Sequence, residues 1–263
     1  GGRGFGTPNP PVATWFVCES EAQTSCTPLA VLNATRSLTR TASFETVTAR
    51  YFALELSRST EPGFIDTLSY AQGANKLPFP AHAGAYALSE VQLHVRPIVN
   101  AFEEKAGFAA APRYYPLSVP DTSEAAVQVN DVRDITGFMD EKGTLNWQAP
   151  AGQWRIVRLG YSLTGHENGP AQHNATGLET DKFNAEALNR YLDTYLQFYS
   201  NENGELFDGI TGLLSDSIES GPQNAGTELL DAFAAAMPYD VTPWLPALTG
   251  EVISSAAETD RFL

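Results

Sequence analysis

The chain of 263 residues is predicted to be of mixed class, α/β plus β, and two kinds of pattern lead to this prediction. Segments in the first half alternate polar and apolar residues with a period of two, which is typical of strands with one buried face. Later in the chain a helical pattern, a short apolar run and a second helical pattern follow one another, which indicates α/β architecture. The hydrophobic share of 43% supplies enough apolar surface for a core.

Residues 44–98 carry the prediction of an antiparallel β-sandwich. The segments ARYFALELS (49–57) and YALSEVQLHV (86–95) alternate in hydrophobicity, and the spacer between them is rich in Gly, Pro and Ser. Antiparallel strands that pack one face on a core have this pattern. We therefore expect a sandwich whose core includes Phe52, Leu54, Leu56, Val91 and Leu93.

More strands are predicted in the middle of the chain. Residues 126–136 alternate around Val127 and Val129, and residues 143–165 resemble two strands around a Pro-Ala-Gly turn. Two tryptophans flank that turn, and we expect both to be structural residues at the base of a hairpin, because buried tryptophan contributes heavily to packing. They are Trp147 and Trp154.

The α/β prediction rests on residues 181–237. Between 181 and 199, Leu and Tyr residues recur with the spacing of one helix face, and Asn184 is a suitable N-cap. The apolar run 209–214 predicts a buried parallel strand, and 226–237 predicts a second helix. The stretch from residue 243 onward predicts a further turn and helix.

The charge balance restricts the kind of partner. The net charge is −15, and the sequence pI is near 4.6. Such an acidic chain gains nothing from the release of phosphate counterions, which argues against nucleic acid and anionic membrane surfaces. No apolar run has the length of about 20 residues that a membrane-spanning helix needs. The sequence thus favours a neutral ligand or a cation.

Cysteine usage and the chain ends give weaker signals. Cys18 and Cys26 are eight positions apart, so a disulfide is compatible with their spacing but is not required by it. The chain opens without an initiator Met or a signal-like segment and stops within a helical pattern. We therefore expect a piece of a longer polypeptide.

Two polar clusters are candidates for chemistry. The first follows the predicted strand 209–214, where Asp216, Ser217 and Glu219 appear within four residues. Polar residues at the carboxyl ends of parallel strands line the catalytic face of α/β folds. The alternative is that Asp216 caps the next turn and Glu219 is simply solvated.

The second cluster lies in the Gly- and Asn-rich loop 164–182. A long polar loop of this kind is often functional, although it could also be an ordinary surface loop in which Asp181 stabilises the helix that follows. Because one helix and one strand separate the two clusters, we expect the loop to line the same cleft as Glu219. Its ionisable residues are His166, Glu167, His173, Glu179, Asp181 and Lys182.

Known catalytic templates are otherwise missing from the sequence. There is no GxSxG, HExxH, Walker or GxGxxG motif, and the few histidines do not support Cys-His catalysis. Paired carboxylates remain, and glycoside hydrolysis is the reaction class that most often uses them.

Several motifs together resemble glycoside hydrolase family 106, the α-L-rhamnosidases. Their order and spacing agree with the barrel region of that family over about residues 113–263. Two departures are visible, since Asn224 is followed by Ala-Gly rather than an aromatic residue, and the next helix lacks the usual arginines. The motifs are NWQAPAGQWRIVRLGYSLTG (146–165), GLETDKFNAEAL (177–188), LLSDSIESGPQN (213–224), PYDVTPWLPALTG (238–250) and DRFL (260–263).

The resemblance implies a partial (β/α)8-type barrel that carries an inserted β-sandwich. The strands at 49–57 and 88–95 are themselves similar to the "RYVRL" and "SEVEL" strands of discoidin-like, galactose-binding-like sandwiches. On this basis residues 1–40 form an irregular, barrel-associated segment, 41–104 form the inserted sandwich, and 105–263 form the barrel segment.

The resemblance also implies an activity. The expected enzyme is an inverting α-L-rhamnosidase that acts on a rhamnose-containing carbohydrate in the periplasm or outside the cell, with calcium near the sugar. Glu219 matches the motif carboxylate and is assigned as the general acid, while the second carboxylate is expected beyond Leu263. A non-catalytic carbohydrate-binding protein and a glycosidase of another specificity are the alternatives. The expected substrate-binding residues are Asp216, Glu179, Asp181, Lys182 and His173.

Overall fold

The computed structural model describes residues 10–32, 35, 37–58, 85–109, 127–168, 171–214 and 221–263. These residues belong to two compact units. The first, called the sheet unit, extends up to Gln153 and includes Thr242–Leu263, and the second, called the loop unit, is Trp154–Val241. Within the described residues, no helix combines the length and apolar character needed to cross a membrane.

A three-stranded antiparallel sheet begins the sheet unit. Strand β1 (Val12–Cys18) lies in the centre, between β2 (Cys26–Leu32) and β3 (Tyr51–Ser57). Strand β1 is rich in β-branched and aromatic residues, and β3 begins with two aromatic residues, which favour extended backbone. The first two strands fall in the segment that the sequence predicts as irregular.

The pairing of β1 with β2 joins the two cysteines. Cys18 lies opposite Cys26 in the register, with 4.1 Å between their Cα atoms, and the two form a disulfide. The spacing in the sequence left this pairing open. It is the antiparallel register of the hairpin that brings the two side chains together.

The predicted sandwich strands have different outcomes. The strand predicted at 49–57 is present as β3, and Phe52, Leu54 and Leu56 are half-buried. Residues 85–95 form no strand, and Val91 and Leu93 are 49% and 44% exposed, so their assignment to a core is wrong. Alternation shows which face a strand could bury, but a strand also needs a neighbour for its backbone N–H and C=O groups.

A second centre of packing lies near the end of the chain. The described helices of this part are α1 (Phe102–Lys105), the 3-10 helix Thr242–Thr249 and α4 (Ala256–Phe262). Between the last two, Ile253 is 1% exposed, and its backbone N–H donates to the fully buried Thr259 hydroxyl at 2.8 Å. The turn and helix predicted for this stretch are therefore confirmed.

The extended segment before α4 has neighbours on both sides. Ile98 pairs with Glu251 in an antiparallel bridge, and Val127 pairs with Ile253 in a parallel one. At Gly250, whose φ is +86°, a Cβ atom would lie 2.8 Å from the Phe102 ring, so this turn needs glycine.

Charged side chains are also buried in the sheet unit. Glu103, Glu104 and Lys105 of α1 are each at most 6% exposed. Lys105 forms an ion pair with Asp260 of α4, which links the two helices. Glu103 accepts hydrogen bonds from the backbone N–H and the hydroxyl of Thr41, at 3.2 and 2.7 Å.

Two α-helices lie among the described residues of the loop unit, and both confirm predictions. Helix α2 (Ala185–Gln197) begins after Asn184, whose side chain accepts a hydrogen bond from the Ala187 N–H at 2.8 Å. Helix α3 (Leu229–Ala236) begins three residues later than the predicted pattern. The apolar face of α2 is largely exposed, and it includes Tyr191, Leu192, Tyr195 and Tyr199.

Four further predicted strands are wrong. Residues 210–214 adopt no strand, and Leu214 is 92% exposed. For the strand predicted at 126–136, the described residues 127–138 contain the 3-10 turns Val129–Asp131 and Thr136–Phe138 instead. The hairpin at 143–165 is not formed in the described residues either, although Trp147 and Trp154 are half-buried. Among the described segments these apolar runs form isolated bridges at most, at Val127 and Leu145, and no continuous ladder with a neighbouring strand.

Candidate functional site

The described arms of the loop 164–182, residues 164–168 and 171–182, pair with each other. Glu167 and Leu178 form an antiparallel bridge, and the Glu179 N–H donates to the His166 carbonyl at 2.9 Å. The Asn168 side chain holds the two arms together, since it accepts from the Gly177 N–H at 2.7 Å and donates to a carbonyl across the loop. The loop therefore presents its ionisable groups from a defined backbone.

The second arm of the loop leads directly into α2. Asp181 accepts a hydrogen bond from the Phe183 N–H at 2.9 Å, which shapes the turn before Asn184 begins the helix. Lys182 forms an ion pair with Glu179, which lies three positions earlier in the loop. Both carboxylates are thus engaged by neighbouring donors within the loop unit.

Residues 221–226 lie against this loop. A Cβ atom at Gly221 would be only 2.6 Å from the Cε1 atom of His166, so the imidazole lies directly on the glycine backbone, whose φ is +88°. At Gly226 a Cβ atom would lie 3.0 Å from Phe183 and 3.2 Å from the nearer carboxylate oxygen of Asp181. Glycine at both positions permits this close approach.

Gln223 connects the two segments by hydrogen bonds. Its side-chain amide donates to Asp181 at 2.5 Å and to the Ala225 carbonyl at 3.0 Å. Its side-chain oxygen accepts from the Lys182 N–H at 3.1 Å. Further along, Asn184 donates to Glu228 at 3.2 Å. The segment 221–228 therefore follows the course of the loop and the start of α2.

The structure brings together part of the predicted site. Glu179, Asp181 and Lys182 form one cluster with the segment 221–226, while His173 lies in the exposed 3-10 turn His173–Ala175 at the far end of the loop. Asp216 and Glu219 lie outside the described residues. The role of each of these residues in binding or catalysis stays a prediction.

Sequence reasoning missed Gln223. The residue lies 42 positions from Asp181 in the chain, so no local pattern connects them. The available signal was chemical, because an amide in a Gly- and Pro-rich turn can donate and accept at the same time.

Calcium does not fit the described part of the site. In the portion of the chain that the structure describes, no group of three or more His, Cys, Asp or Glu residues could hold a metal ion. The carboxylates of the cluster are occupied, since Lys182 pairs with Glu179 and Gln223 donates to Asp181. A calcium site needs six to eight oxygen ligands. Calcium binding stays an expectation from the family resemblance.

Comparisons with known proteins identify the protein family. The model of the family described as alpha-L-rhamnosidase, glycoside hydrolase family 106, matches residues 15–263. The solved rhamnosidase of Novosphingobium sp. PP1Y has a TM-score of 0.73 and 34% identity over 97% of this chain. A curated protein of Formosa agariphila, named as a beta-glucuronidase, is 34% identical over 150 residues, or 55% of this chain.

These matches place the polar loops in a glycoside hydrolase scaffold. The chain belongs to glycoside hydrolase family 106. It spans 23% of the length of the solved rhamnosidase chain and 13% of the Formosa protein, so it corresponds to one part of each.

Proposed function

We propose that this chain is part of the catalytic region of an enzyme that releases terminal α-L-rhamnose from glycosides or polysaccharides. Family membership and the likeness to a solved rhamnosidase support this substrate class. The observation that carries the proposal is the close packing of 221–226 on the loop 164–182, because Glu219 precedes Gly221 by two positions. Gly221, two positions after Glu219 in the sequence, therefore contacts His166 of the polar loop.

Glu219 is the proposed general acid. Its protonated carboxyl donates a proton to the glycosidic oxygen as the bond to the sugar breaks. A second carboxylate, which we do not assign, activates a water molecule on the opposite face of the sugar. In an inverting enzyme the two carboxyl groups are about 6.5–9.5 Å apart, which leaves room for that water.

The proposed fold context is a (β/α)8-type barrel in a longer polypeptide, with a β-sandwich over 41–104. The exposed face of α2 and the exposed residues 210–214 support it, because both have the composition of buried barrel elements.

We also propose a periplasmic or secreted location. The disulfide between Cys18 and Cys26 supports it, since disulfides persist in oxidising compartments. Protein taken from its native compartment under alkylating conditions should then contain neither cysteine as a free thiol. Quantitative alkylation of both residues would contradict this location.

The test of the proposed function uses the full-length protein that contains this chain. We expect release of the phenol from an aryl α-L-rhamnoside, measured by absorbance, and much slower release from the matching aryl β-D-glucuronide. The glucuronide is the appropriate competitor because one relative carries a glucuronidase name. A preference for the glucuronide would indicate that the enzyme releases an acidic sugar and not rhamnose.

A carbohydrate-binding protein without catalysis is the second candidate. Calorimetric titration with rhamnose measures binding, and the aryl glycoside assay measures turnover. An enzyme turns the aryl glycoside over, whereas a binding protein only retains the sugar. Binding without any turnover in the full-length protein would favour the second candidate.

A further inference from the structure

Gln223 has a hydrogen-bonding arrangement that only an amide can provide. Its Nε2 group donates to the Asp181 carboxylate at 2.5 Å and to the Ala225 carbonyl at 3.0 Å, while its Oε1 atom accepts from the Lys182 N–H at 3.1 Å. Both amide hydrogens and the oxygen are therefore used. A carboxylate at this position could accept from Lys182 but would face Asp181 as a like charge.

The contacts on either side show that this connection is tight. The His166 ring covers Gly221, and the backbone of Gly226 lies against Asp181 and Phe183. Side chains larger than hydrogen would not fit at either glycine without a shift of the loop. The segment 221–226 is thus held at its start, middle and end.

We propose that Gln223 is a positioning residue, which fixes the chain that follows Glu219 against the turn at Asp181 and Lys182. Asp181 then acts through Gln223 and is not itself a contact to the sugar. This inference rests on the proposed function, in which Glu219 is the general acid.

The connection from Gln223 to Glu219 is short in sequence. Four residues span at most about 14 Å of chain, and Pro222, one of them, has a fixed φ. Because the chain is continuous, we infer that a shift of the Gln223 backbone also displaces the carboxyl. Misplacement of a reacting group by about 1 Å can lower a rate by about 10²-fold.

The test compares Gln223→Glu, Asp181→Asn and the double variant in the full-length protein. Gln223→Glu should lower kcat by about 10²-fold with little change in KM, because two carboxylates would then repel each other. In the double variant the new amide at position 181 donates to the new carboxylate at position 223, which can still accept from Lys182. The double variant should therefore recover most of the lost kcat.

The readout must separate positioning from folding. A displaced general acid slows glycosides with poor leaving groups more than aryl glycosides, whereas partial unfolding lowers both rates equally. We expect Gln223→Glu to increase the rate ratio of aryl to alkyl rhamnoside and the double variant to restore it. Gln197→Glu makes the same chemical change at an exposed position of α2 and should leave the ratio unchanged.

Two results would overturn the inference. If Asp181→Asn alone lowers activity as strongly as Gln223→Glu and the double variant shows no recovery, Asp181 contacts the sugar directly. If the melting temperatures of the four proteins show no coupling between the two positions, the connection does not exist in solution. The melting temperatures decide this point even if the wild type hydrolyses no rhamnoside, which would contradict the proposed function alone.

Discussion

The sheet unit and the loop unit use their residues differently. In the sheet unit, Ala247, Ile253 and Thr259 are almost completely buried, and a disulfide ends the β1–β2 hairpin. In the loop unit, no described residue between Trp154 and Asp240 is buried, yet this unit contains the ordered polar cluster. The buried residues and the candidate site thus belong to different units of the chain. The cluster is held by hydrogen bonds and glycine contacts, not by a core.

One ion pair from each unit makes the contrast quantitative. The side chains of Lys105 and Asp260 in the sheet unit are 4% and 17% exposed, whereas those of Arg190 and Glu186 in the loop unit are 72% and 80% exposed. Solvent screens the second pair, and side-chain entropy opposes it. Removal of one partner from the first pair leaves a charge with little access to water. The presence of an ion pair therefore does not by itself determine its contribution to stability.

The largest expected effect is on activity and involves the loop unit. Glu219→Gln should lower turnover of a natural rhamnoside by about 10²–10⁴-fold, because the amide cannot supply the proton that the leaving oxygen needs. The melting temperature should change little. Steady-state kinetics of the full-length protein, on natural and aryl rhamnosides, would measure the effect.

The leaving group provides the control for this prediction. A phenolate needs little protonation, so the loss should be smaller on the aryl substrate. An equal loss on both substrates would indicate a base or a structural role for Glu219. Near-normal turnover of the natural rhamnoside would identify a different carboxylate as the acid.

The next effect is on stability and involves the sheet unit. Lys105→Ala should lower the free energy of unfolding by about 3–5 kcal/mol, because Asp260 loses its partner in a largely buried position. Arg190→Ala is the matched control in the loop unit and should cost no more than about 0.5 kcal/mol. Guanidinium unfolding followed by tryptophan fluorescence measures both. Similar costs for the two variants would contradict the contrast between the units.

The sequence predicts the helices of this chain better than its strands. Helix α2 was predicted with its N-cap Asn184 because the apolar spacing and the cap are local signals. Helix α1 has only four residues and no periodic pattern to reveal it. The strand expectations at 86–95 and 209–214 failed because a strand depends on a partner that local alternation does not specify. β1 and β2 were missed as strands for the same reason.

The sequence predicted which residues the candidate site contains but not which of them are in contact. A high density of ionisable residues identified the loop 164–182, and the structure confirms that this loop is followed by a capped helix. The contacts of His166 with Gly221 and of Asp181 with Gln223 join residues far apart in the chain, and no spacing rule reaches that far. Whether these residues contact sugar stays a prediction.

A smaller effect is expected at the start of α2. Asn184→Ala should lower the free energy of unfolding by about 1 kcal/mol, because the Ala187 N–H loses its acceptor. Asn184→Ser keeps an oxygen in the capping position and should cost much less, although it also loses the hydrogen bond to Glu228. Circular dichroism during chemical unfolding measures both. Equal losses would show that the contact with Glu228, and not the cap, stabilises the helix.

The smallest effect is expected at Glu103 and depends on pH. Burial raises the pKa of the Glu103 carboxyl above its ordinary value of 4.5, and the hydrogen bond from the Thr41 side chain opposes this shift. A raised pKa means that the folded state binds the proton more tightly than the unfolded state. The stabilisation that comes from protonated Glu103 is therefore complete below about pH 4.5. It is lost as the pH rises through the pKa of Glu103 in the folded state.

Glu103→Gln should remove this dependence. The substitution also changes the hydrogen bonds to Thr41 and the charge beside Arg40 and Glu104. A change in hydrogen bonding shifts the free energy of unfolding by a nearly constant amount, so the slope with pH isolates the titration. From about pH 4 to pH 7, we expect the stability of the wild type to fall relative to that of the variant. A difference that stays flat, or that rises with pH, would mean that burial does not control the titration of Glu103.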